Sequence, residues 1–91
     1  MNQLDRKNKF LAAADRSIIE ALNSAQAAHL SVLQAQVGLT RQEIEYAQNQ
    51  IQKALHQIYQ AQSFIDPEST RLSQELQAEQ DRLLHEYQLF L

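Results

Sequence analysis

Three histidines, His29, His56 and His85, fall one to each of three apolar-patterned segments. Imidazole is a common metal ligand and the side chain best suited to moving protons near neutral pH. Folding the chain back at two breaks sets His29 and His85 at a similar height, with His56 farther along, so a two-histidine site is conceivable. The supporting pattern is missing. Gln26, Lys53 and Arg82 stand three residues before the histidines, so the Glu-x-x-His ligand pair of di-iron bundles is absent. There is no His-x-x-x-His pair and no cysteine. The histidines read as surface or core-edge residues, and neither a metal nor a cofactor is expected.

Other chemistry is equally thin. Most carboxylates fall at positions expected to face solvent. Glu79 and Glu86 border the apolar stripe of the third segment and are expected to be partly buried. Acid–base work needs a pocket, and a small bundle with alanine at its seams has little room for one. Gly38 is the single glycine, which excludes a phosphate-cradling loop and a nucleophile elbow. Ser17, Ser24 and Ser31 recur every seven residues and read as small side chains edging a helix stripe. The short basic run Arg6-Lys7-Asn8-Lys9 has no aromatic interleaving beyond Phe10, too little for a nucleic-acid face. No enzyme is indicated.

The elements behind these residues are helices. Leu4, Leu11, Ile18, Ala25 and Val32 share one heptad register, and Ala14, Ala21, Ala28 and Ala35 lie three places on. Ile44, Ile51, Ile58 and Ile65 continue the first register after a break, and Ala47, Ala54 and Ala61 the second. This is a coiled-coil-like Ile/Ala heptad, in which alanine lets two backbones approach closely. Gly38 is expected to close the first helix as a left-handed residue. Thr40-Arg41-Gln42-Glu43 then reads as a capping box, with Leu39 and Ile44 placed for a hydrophobic staple. Asp66-Pro67-Glu68 reads as a cap, first helical position and dipole-favoured acid opening a third helix. The stripe of that helix is Leu72, Leu76, Leu83, Tyr87 and Phe90, interrupted by Glu79 and Gln80.

The sequence thus predicts one all-α domain over residues 1–91, a small antiparallel up-down-up three-helix bundle. Its helices run from about 4 to 37, 41 to 65 and 67 to 90, and their similar lengths suit that topology. Folding is expected to gather Phe10, Phe64 and Ile65 at one end, and Leu33, Val37, Leu39, Phe90 and Leu91 at the other. Residues 1–41 carry a net charge of +2 and residues 42–91 one of −5, which reads as internal complementarity that sets the basic start near Asp66 and Glu68.

No apolar run approaches the ~20 residues that span a bilayer. The basic opening is followed by a stretch that Asp15, Arg16 and Glu20 interrupt, unlike a secretory h-region. A cytoplasmic protein is expected.

In size and hairpin form the chain resembles the WXG100 secreted effectors, whose turn carries Trp-x-Gly. Here Gln36-Val37-Gly38 occupies that place and the chain has no tryptophan. The resemblance is one of shape and implies a secreted helical hairpin as one alternative function; a metal- or ligand-binding bundle is another. The favoured reading is a non-enzymatic interaction or assembly module, small and regulator-like. The broad stripe of the first helix leaves Ile19 and Leu30 as the candidate surface for a protein partner or for a second copy in a homodimer.

Overall fold

The computed structural model describes the backbone of residues 3–65 and 70–91, and the side chains of residues 15–65 and 71–91. Helix α1 spans Gln3–Gly38, α2 Arg41–Gln62 and α3 Thr70–Gln88. Together they form a small all-α bundle. The molecule is 55 × 24 × 15 Å, and its long dimension is that of α1 alone, since 36 residues at 1.5 Å each give about 54 Å. The described helices have 36, 22 and 19 residues, and the expected start of the third at Pro67 lies outside the described residues. The Asp66-Pro67-Glu68 cap, and the basic residues expected near Asp66 and Glu68, lie outside the described side chains.

Helices α1 and α2 form an antiparallel hairpin around the alanine register. Ala21, Ala25, Ala28 and Ala35 meet Ala47, Ala54 and Ala61, and all seven are fully buried. Val32, Ile51 and Ile58 fill the same core, with Ile18 and Ile44 partly buried against it. The heptad positions inferred from spacing are thus the buried ones. Small side chains seal the edge of the seam. Ser24 donates a hydrogen bond to Gln57 of α2, and the buried Ser31 hydroxyl donates to the Ala27 carbonyl one turn back at 3.0 Å.

The turn between them corrects one expectation. The left-handed residue is Leu39, with φ 57°, whereas Gly38 stays helical and ends α1. The Leu39 amide donates to the Ala35 carbonyl at 2.9 Å, closing the helix one residue later than expected. Gly38 is instead covered by the Glu43 carboxylate, which occupies the space a Cβ there would need. Thr40 caps α2 as expected. Its hydroxyl accepts from the Glu43 amide at 3.1 Å and donates to the Glu43 carboxylate at 2.6 Å, so Glu43 reaches back to the capping hydroxyl. Leu39 is 74% exposed, so it makes no buried staple on Ile44.

Helix α3 runs back antiparallel to α2. Gln62 donates to Gln80 at 3.2 Å, and Gln52 donates to the Tyr87 hydroxyl at 3.4 Å. Leu76 and Leu83 are fully buried, and Tyr87 and Phe90 pack half-buried on the core. Tyr87 thus sits beside Gln52, about 16 Å of helix from the start of α2 at Arg41. The third helix therefore stops short of the α1–α2 turn. Phe90 and Leu91 do not join Leu33, Val37 and Leu39 as expected, because Leu33 and Val37 lie on the side of α1 turned away from the seam and Leu39 lies beyond the end of α3. Leu33, Val37 and Leu39 are left exposed. At the opposite end Phe64 and Ile65 are half-buried, and the Phe10 side chain lies outside the described residues.

Candidate functional site: the outer face of helix α1 and the His29 cluster

Two features of α1 stand out, one buried and polar, the other exposed and apolar. The polar one is centred on His29. Its Nε2–H donates to Glu79 of α3 at 2.7 Å. Its Nδ1 lies 2.7 Å from Glu86 Oε1, but off the line of a hydrogen bond. The side chains of His29 and Glu86 are largely buried, and that of Glu79 is partly so. Arg82, one turn before Glu86, approaches the same carboxylate oxygen at 3.2 Å, and Glu86 Oε2 has no hydrogen-bond partner. Glu79 and Glu86 are seven residues apart, two turns of α3, so one ring bridges successive turns of the facing helix.

The partial burial expected for both acids is present, and His29, which the sequence pattern did not connect to them, lies against both. His29 meets these carboxylates and not His85, which is exposed. The two acids approach opposite nitrogens of one ring, so they do not converge on a point where an ion could sit. Among the described residues no group of three or more His, Cys, Asp or Glu could hold a metal ion. The cluster is the polar part of the contact between α1 and α3.

The apolar feature lies elsewhere on α1. Ile19, Leu30, Leu33 and Val37 are separated from Ile19 by 11, 14 and 18 residues, each close to a whole number of 3.6-residue turns. They form one line along the helix, about 27 Å long from Ile19 to Val37. The buried series begins at Ala21, about half a turn round, so this line faces away from the seam with α2. Ile19 and Leu30, the residues singled out from the sequence, are each 56% exposed, and Val37 is 87% exposed. Leu33 and Val37 extend the line toward the hairpin turn. They escaped notice because folding was expected to cover them with the end of α3.

Leu30, Leu33 and Val37 of this line lie in the longest uncharged part of the chain. Residues 21–40 contain no Asp, Glu, Lys or Arg. The polar side chains between the aliphatics are amides and hydroxyls, among them Asn23, Gln26 and Gln34. Charge appears only at the margins, with Asp15, Arg16 and Glu20 exposed at one end and Arg41 and Glu45 at the other. Shallow concavities of about 280 and 360 Å³ flank the hairpin turn, the first lined by Ser31, Gln34, Gln42, Glu43 and Tyr46, the second shared by Leu33, Val37 and Gly38. They hold no cluster of catalytic groups.

No described helix is long and apolar enough to cross a membrane. Comparison with protein-family models, curated proteins and solved structures finds no match to this chain.

Proposed function

We propose that this chain is a non-enzymatic protein-interaction or assembly module of the cytoplasm, and that the outer face of α1 is its binding surface. The observation that carries this reading is the exposed line of Ile19, Leu30, Leu33 and Val37, the last three within an uncharged stretch of helix. Scattered single aliphatics on a surface need no explanation, but an aligned set with little charge among it has the character of a helix-binding face. The rest of the fold serves it. The alanine seam and the α3 clasp hold α1 straight, so the line is presented on a rigid element.

The test compares immobilised wild type with a Leu30→Glu/Leu33→Glu variant, both checked for helicity by circular dichroism. Each is used to retain proteins from an extract of the source cells. Proteins held by the wild type and lost with the variant support the assignment. Identical retained sets would remove the outer face of α1 from consideration as the binding surface.

A further inference from the structure

We infer that His29 makes the docking of α3 on the hairpin dependent on pH, because the clasp around its ring is complete only when both ring nitrogens carry protons. The ring sits between two carboxylates, with Glu79 2.7 Å from Nε2 and Glu86 2.7 Å from Nδ1. A neutral imidazole has one N–H and one lone pair. With Nε2–H donating to Glu79, the Nδ1 lone pair faces a carboxylate oxygen, and two acceptors that close repel each other. A proton on Nδ1 turns this repulsion into a charge-assisted attraction. Among the described residues, the buried side-chain polar atoms without a hydrogen-bond partner are His29 Nδ1 and Glu86 Oε2, so both lie at this one contact. The missing element there is a donor, and a proton on Nδ1 supplies it.

Charge balance points the same way. With the ring protonated, His29 and Arg82 stand against Glu79 and Glu86, two cations against two anions. With the ring neutral, one negative charge is left over at a site where the His29 and Glu86 side chains are only 13% and 11% exposed. The surroundings do not change this sum. Helix α1 has no Asp, Glu, Lys or Arg between Glu20 and Arg41. On α2, Lys53 and His56 are exposed, and Gln52 donates to the Tyr87 hydroxyl. On α3, Glu75 and Asp81 are exposed and engaged with Arg71 and Gln77, and His85 is exposed.

Histidine ordinarily changes charge between about pH 5 and 8. The clasp is therefore tight at the acid end of that range and loosens as pH rises through it. The buried seam between α1 and α2 is built of alanine, valine and isoleucine and has nothing to titrate. What pH controls is how firmly α3 covers the hairpin face on which Leu76 and Leu83 sit.

Hydrogen exchange at about pH 5.5 and about pH 8, corrected for the intrinsic effect of pH on exchange, tests this. In the wild type, protection over Thr70–Gln88 is expected to be about threefold or more higher at the acid pH. His29→Gln keeps a donor for Glu79 but does not titrate, and its protection there should differ by less than about 1.5-fold between the two conditions. His56 and His85 are present in both proteins, so the comparison isolates His29. If His29→Gln fails to fold, Glu86→Gln removes the charge that faces Nδ1 and should flatten the dependence in its place. Nitrogen NMR of the wild type should find both ring nitrogens of His29 protonated at the acid pH. Equal dependence in wild type and variant, a dependence of opposite sign, or a singly protonated ring at the acid pH overturns the inference.

Discussion

Helix α1 meets its two neighbours in different ways. Against α2 it presents Ala21, Ala25, Ala28 and Ala35, which interlock with Ala47, Ala54 and Ala61 in a seam without charge. Against α3 it presents His29, which holds Glu79 and Glu86. Alanine buries little apolar area, so the first contact depends on close backbone approach and on the dispersion gained along its length. The second depends on two leucines, Leu76 and Leu83, with a polar clasp between and beyond them. The seam is intolerant of added volume, whereas the α3 contact is concentrated in a few groups and breaks when one is removed. The hairpin is thus the continuous part of the fold, and α3 is an element docked at a set position on it.

Removing an anchor of α3 should have the largest effect. Leu83→Ala is expected to cost about 2–5 kcal/mol in urea melts, as for other fully buried leucines. Hydrogen exchange should show protection lost over Thr70–Gln88 before Arg41–Gln62. Simultaneous loss in both helices would mean the two contacts form one cooperative unit, and the contrast between them would fail.

Adding volume tests the seam. Ala54→Leu forces a larger side chain between α1 and α2 and should cost about 1–3 kcal/mol. A melting temperature equal to or above that of the wild type would show a seam looser than its complete burial implies.

Replacing the clasp comes next. His29→Ala leaves Glu79 and Glu86 on a half-buried face without their partner, at about 1–3 kcal/mol. Arg82 remains near Glu86 and limits the loss. The same exchange measurement should find the change concentrated in α3. A variant as stable as the wild type would reduce the cluster to an incidental contact.

Two smaller effects belong to the turn that joins the helices of the seam. Thr40→Ala removes the hydroxyl that caps α2 and should cost about 0.5–2 kcal/mol by chemical denaturation. Gly38→Ala sets two effects against each other. Alanine favours helix by about 1 kcal/mol where φ is helical, but its Cβ displaces the Glu43 carboxylate. The net change should stay within about 0.5 kcal/mol. A much larger loss would show that the Glu43–Thr40 contact is worth more than an exposed hydrogen bond usually is.

Much of this architecture is local and therefore readable along the chain. The heptad spacing of Ile51, Ile58, Ala47, Ala54 and Ala61 names the buried face of α2, because a helix repeats every 3.6 residues whatever it packs against. Thr40 announces its cap, since the bond it makes spans only three residues. Ile19 and Leu30, expected at the edge of a wide stripe, lie about half a turn from the buried alanines and are exposed for that reason. Where α3 would lie was decided only by packing. Its height along the hairpin depends on how the chain passes from α2 to α3 and on the match of Leu76 and Leu83 to the core, neither of which leaves a periodic trace. That height brings Glu79 and Glu86 to His29 across 50 and 57 residues of sequence. The left-handed residue moved from Gly38 to Leu39 for a similar reason. A glycine signals backbone freedom, but whether the chain uses that freedom for a turn or for the close approach of Glu43 is settled by what folds against it.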